Sequence, residues 1–182
     1  MTLLRDGAEV PDGWTRIAAE DPRLDGDTPL TGDLLVPAAL YSAAHARLAP
    51  GARLGVEGRA EGEEALQIAA AAAHGADMVA LVFPSFSDGR GFSLAKRLRQ
   101  AGYDGILRAV GPLIPDQCHF AESVGFDELE IPDAMALRTG PEHYAGARGA
   151  AVGRYQLGYA KGGDDAPVSI LAARHADRLR IA

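Results

Sequence analysis

MVALVFPSFSDGRGFSLAKRLRQAGYDGILRAV, residues 78–110, reads as a strand, a loop, a helix and a second strand. Met78 to Phe83 is apolar at consecutive positions, the pattern of a strand buried on both faces of a parallel sheet. Pro84 to Gly91 then breaks the pattern with turn-forming residues. From Ser93 to Ala101, helical spacing places Leu94, Leu98 and Ala101 on one face and turns Lys96 and Arg99 outward. Gly105 to Val110 is a second apolar run, with Arg108 in its middle. Two strands joined through a helix must pair in parallel, because the crossover returns the chain to the edge from which it left.

The same unit recurs on either side, about every 25 residues. Upstream, Arg53 to Glu57 is a short β-like run, and Glu61 to His74 is an alanine-rich helix with Leu66, Ala69, Ala70 and Ala73 on one side. Downstream, Pro115 to Val124 reads as a helix that opens on proline and stops at Gly125. Phe126 to Ile131 alternates in polarity and reads as an edge strand. The expected fold is therefore α/β, a single domain with a four-stranded parallel sheet of repeated βα units flanked by helices. The strand order is either sequential, like half of a βα-barrel, or doubly wound and flavodoxin-like. Residues 1–32 are turn-rich and are expected to wrap the outside. Val36 to Leu48 reads as an amphipathic helix, and Pro141 to Tyr159 as a closing helix. The domain is expected to span residues 1–160, with 161–182 as a mobile tail.

Composition narrows the function classes. The 182 residues are 47% hydrophobic and 24% charged, a globular profile with enough chain for a real core. With 25 acidic against 18 basic side chains the net charge is −7, which argues against a broad nucleic-acid-binding face. The start of the chain lacks the apolar stretch of a signal peptide. The longest apolar stretch, Ile68 to Phe83, is interrupted by His74 and Asp77 and is too short to span a bilayer. A single cysteine suits a reducing cytoplasm, which is the expected location. The five histidines show no metal-site spacing, and no cysteine set for an iron–sulfur cluster exists. No metal or cofactor is expected.

The cations of the opening stretch pose the functional question. Asp88-Gly89-Arg90-Gly91 follows the carboxyl end of a strand and leads to Ser93 on a helix start, where ligands bind in open parallel sheets. Arg90 offers a planar donor fork suited to an oxyanion. The same residues equally make a turn in which Asp88 or Ser93 caps the helix. Gly89-x-Gly91 is not a dinucleotide fingerprint, because Leu94 stands at the third glycine position and no acid closes the next strand. Arg108 must be paired or face a ligand, and Glu128 and Glu130 on the next strand are natural partners. Asp116-Gln117 opens the third helix, where an acid favours the helix dipole or completes a polar rim with Arg90 and Arg108. Cys118 and His119 are neighbours on a helix and point about 100° apart, so they do not form a thiolate pair. The mildly basic run Arg174 to Arg180 reads as a solvated terminus.

Several of these motifs, in order, resemble the bacterial domain-of-unknown-function 934 family. They are Phe83-Pro84, Asp88 to Gly91, Ser93, Leu98-Arg99, Leu107 to Gly111, Asp116-Gln117 and Gly125 to Asp127. Leu4 to Gly7 and Asp12 to Thr15 are similar to the start of that family. The resemblance implies a place in bacterial sulfur assimilation, because such genes typically sit beside those of sulfite reductase. Members are named on that ground as oxidoreductases of sulfite reduction, and no catalytic residue is established for them. Family members commonly have Arg where this chain has Pro115 and Ser123, which implies a less basic site here.

Three functions follow as expectations. One is a cytoplasmic accessory protein of assimilatory sulfite reduction, binding an oxyanion or a redox partner (sulfite reductase or its electron carrier) at the Asp88–Gly91 loop. The second is an enzyme acting on a small phosphorylated or oxyanion substrate there. The third is a non-catalytic interaction module for an acidic electron carrier. No nucleic-acid or membrane partner is expected, and self-association stays open.

Overall fold

The computed structural model describes residues 1–24, 26–140 and 143–144. The four expected strands are all present and mutually parallel, but they belong to a sheet of eight rather than four. In chain order the strands are β1 (Thr2–Arg5), β2 (Ala8–Glu9), β3 (Thr15–Arg16), β4 (Asp33–Pro37), β5 (Arg53–Arg59), β6 (Met78–Val82), β7 (Ile106–Val110) and β8 (Glu128–Ile131). The helices are α1 (Tyr41–His45), α2 (Gly62–Ala73), α3 (Arg90–Gln100), α4 (Pro115–Ser123) and α5 (Asp133–Thr139).

Across the sheet the order is β2-β1-β8-β7-β6-β5-β4-β3, so β3 to β8 are laid down one beside the next. The order is sequential, as in half a βα-barrel, and the flavodoxin-like alternative falls away. Residues 1–32 do not simply wrap the outside, since they supply β1, β2 and β3. β8 is not an edge strand either: β1 pairs antiparallel along its whole length, from Thr2 opposite Ile131 to Arg5 opposite Glu128. The helix expected from Val36 begins only at Tyr41, because Val36 and Pro37 complete β4. The expected closing helix from Pro141 and the tail from 161 lie, apart from His143 and Tyr144, outside the described residues.

Alternation along the strands gives the sheet two unlike faces. Val79, Leu81, Leu107, Ala109, Leu129 and Ile131 join buried residues of all five helices in one core. The opposite face carries Leu35, Met78, Ala80 and Val110, with Trp14 packed over them, together with Arg108, Glu128 and Glu130. The sheet is strongly curled. Arg16 of β3 reaches Glu130 of β8 at 2.7 and 2.6 Å. Five strand spacings would separate these strands by about 24 Å in a flat sheet, beyond the reach of an arginine and a glutamate. Curling brings the ends together and encloses the charged face.

Candidate functional site

Loops leaving β5, β6 and β7 meet at the carboxyl end of the sheet, and most of the expected site residues lie there. The loop after β6 is internally fixed. Ser85 and Ser87 share a hydroxyl hydrogen bond of 3.0 Å, and the Asp88 N–H donates to the Ser85 carbonyl. The Asp88 carboxylate accepts from the Arg90 backbone N–H at 3.0 Å and from its guanidinium at 2.6 to 3.2 Å. The bonds from the Arg90 side chain, and then its backbone N–H, hold the Asp88 carboxyl at about 2. Asp88 thus places a carboxylate on the amino end of α3, where an incoming anion would otherwise sit.

Arg90 also pairs with Glu61 of the β5 loop, and Arg59 approaches the same carboxylate at 3.7 Å. Four opposed charges (Arg59, Arg90, Glu61 and Asp88) therefore sum to zero. Across the loop, Gln117 at the start of α4 donates its amide to the Phe86 carbonyl at 2.6 Å. Its oxygen accepts the Ile114 N–H, so one side chain ties α4 to the β6 loop. Asp116 and Ser93 are exposed in the first turns of α4 and α3. Phe86 is 59% exposed at the loop surface.

The two glycines of the loop play different parts from the one expected. Gly91 is buried, and a Cβ there would enter the Phe83 ring. It is glycine so that α3 can pack on Phe83, rather than to admit a ligand. Gly89 faces open space at φ −87°, a conformation any residue adopts.

Arg108 does not join this surface. Its side chain is 1% exposed on the enclosed face, and its partners are Glu128 at 2.9 Å, Glu130 at 3.2 Å and Asp12 at 2.8 and 2.9 Å. Burial pushes its pKa down, but the bond to Asp12 and the charge of Glu128 outweigh it and hold the guanidinium ionised. Arg5 contributes to Glu128, and Arg16 to Glu130 and Glu57. Asp12 is partly desolvated, which raises its pKa, yet the Arg108 bond and the Trp14 N–H bring it below the usual carboxylate value.

Arg99, expected to point into solvent, is 5% exposed. Its guanidinium donates to the carbonyls of Gly125, Tyr103 and Gly105 and pairs with Asp127 at 2.6 Å. Lys96 is half-buried. Cys118 is buried, and desolvation pushes its thiol up to about 12, so no thiolate exists there at neutral pH. At the opposite, amino end of the sheet, a groove of about 610 Å³ between α2 and α3 is lined by Ala69, Ala72, Leu94, Leu98 and Tyr103. Among the described residues, no group of three or more metal-ligating side chains is assembled, and no helix is long and apolar enough to cross a membrane.

The family described as "Bacterial protein of unknown function (DUF934)" matches residues 59–163. That segment is more than half of the chain and contains every residue of the carboxyl-end surface. The chain belongs to this DUF934 family. No curated protein and no solved structure matches it. The DUF934 segment begins at Arg59, so Asp12 and Arg16, which close over Arg108, precede it. Pro115 is the first residue of α4, beside the Gln117 tie. Ser123 ends that helix, its hydroxyl donating to the Phe120 carbonyl.

Sequence reasoning passed over Arg59, Glu61 and Phe86. The rule that found the Asp88 loop, a strand's carboxyl end opening a helix, applies equally to Arg59 and Glu61 after β5. Phe86 carries no sequence signal, since an aromatic in a loop is as often buried as presented. Asp12 and Arg16 lacked one because their partners are about a hundred positions away.

Proposed function

We propose that this protein is a cytoplasmic, non-catalytic accessory protein of assimilatory sulfite reduction that docks a redox partner on the carboxyl-end surface of its sheet. The observation that carries the reading is the fixed presentation of Phe86. It stands 59% exposed, its backbone is held by Gln117, and it lies in the same loop as Arg90, whose guanidinium is oriented by Asp88 and Glu61. Aromatic and arginine side chains dominate the energetics of protein interfaces. Holding them rigid before contact lowers the ordering cost of association. The family resemblance supplies the pathway, as the genes concerned typically accompany those of sulfite reductase.

The enzymatic alternative has less support. The Cys118 thiol is buried and protonated, and Arg90 and Arg108 are committed to carboxylates, so none of these three serves as an activated nucleophile or base. Titration of the purified protein against purified assimilatory sulfite reductase, and separately its electron carrier, tests the proposal. Binding to one of them should weaken at least tenfold with Phe86→Ser plus Arg90→Glu and should weaken with salt. Equal affinity for the double variant, or no binding to either protein, would remove the proposal.

A further inference from the structure

We infer that Arg59 and Arg90 form a clamp for a doubly charged oxyanion, free or as a monoester, and that Glu61 is its internal competitor. The inference rests on the carboxyl end of the sheet being the working surface. It relocates the ligand from the loop backbone to the two guanidinium groups.

The geometry is that of a carboxylate held between two donors. One Glu61 oxygen faces Arg59 at 3.7 Å and the other pairs with Arg90. Two oxygens of a phosphate or sulfate are spaced much like those of a carboxylate, so such an anion can take the same two donors. Glu61 is poorly committed to its place. Its side chain is 38% exposed, the two arginines are 56% and 54% exposed, and exposed ion pairs hold weakly. The arginines themselves are well placed. Arg59 ends β5, and its backbone N–H is held by the Glu64 carboxylate. Arg90 is oriented by the two oxygens of Asp88. The amino end of α3 plays no part, because Asp88 already takes the Arg90 N–H.

Charge sets the strength of the site. With Glu61 in place, the two arginines face three carboxylates, Glu61, Asp88 and Glu64, so the protein as it stands binds an oxyanion weakly. Without that carboxylate, two arginines face two carboxylates, and the Arg59 guanidinium and the Arg90 Nη1 are released, while Asp88 keeps the Arg90 Nε and Nη2.

Calorimetric titration of the full chain with inorganic phosphate and sulfate tests this. Glu61→Gln should bind at least about tenfold more tightly than the natural protein, and Arg59→Ala in that background should abolish the gain. Thermal unfolding of each variant, expected to be unchanged at these exposed positions, confirms that folding is intact. Comparing phosphate with methyl phosphate identifies a free or an esterified anion as the better occupant. Glu61→Gln binding no more tightly than the natural protein, or a gain that survives Arg59→Ala, overturns the inference. Either result leaves partner docking through Phe86 standing, because that is read with a different protein and different variants.

Discussion

Replacing Arg108 by methionine separates structure from function on this chain. The guanidinium is 1% exposed and makes four hydrogen bonds to three carboxylates. Methionine fills much of the same space but leaves the carboxylates behind. Breaking a buried pair by removing one partner costs about 3 to 5 kcal/mol, because the remaining charge is uncompensated. The lower end applies here. Glu128 keeps Arg5, Glu130 keeps Arg16, and Asp12 can turn toward solvent. About 3 kcal/mol in a chain of this length lowers Tm by roughly 6 to 12 °C. Thermal and urea denaturation, monitored by circular dichroism, measure the loss. Adding Glu128→Gln to Arg108→Met removes the negative charge that the enclosed cluster then carries in excess and should recover part of the loss. Arg90→Ala, at an exposed position, should cost within about 0.5 kcal/mol in the same assay. A loss below about 1 kcal/mol for Arg108→Met, or no recovery in the double variant, would refute the view that this arginine neutralises an enclosed acidic cluster.

Arg99→Ala should destabilise by about 2 to 4 kcal/mol in chemical denaturation, since it strands three carbonyls and takes the cation from Asp127. Gly91→Ala should cost about 1 to 3 kcal/mol through overlap with Phe83, whereas Gly89→Ala should be neutral or slightly stabilising, as thermal melts will show. Trp14, the single tryptophan, reports on the Asp12 segment through its bond to Asp12 and its ring beneath Arg53. Because the Asp12 pKa is lowered by folding, its contribution is complete above the ordinary value of 3.8 and is lost as pH falls through the lowered one. Trp14 fluorescence should therefore change below pH 3.8, and in Asp12→Asn the change should already be present at neutral pH.

The half-barrel was legible where its signals are local. Runs of apolar residues gave β6 and β7, and the Leu94–Leu98–Ala101 spacing gave α3, because pleat and helix periods depend only on near neighbours. Glu128 and Glu130 could be named as partners of Arg108 from the sequence because consecutive parallel strands lie side by side. Elsewhere the local signal was absent or misleading. β4 is five residues long and runs directly into a helical turn, so its valine was counted with the helix. β1 is short and has meaning only against β8, 123 positions away between Arg5 and Glu128. Lys96 and Arg99 looked alike on a helical wheel. Only packing revealed that turns at Tyr103, Gly105 and Gly125 aim their carbonyls at Arg99. For the candidate site, the sequence alone located the loop and its arginine but not their occupancy. Whether a cation is free or committed depends on which acids the curl of the sheet brings to it. Here Glu61 reaches Arg90 and Asp12 reaches Arg108 across 29 and 96 positions. No periodicity encodes such distances; they follow from the summed packing of eight strands.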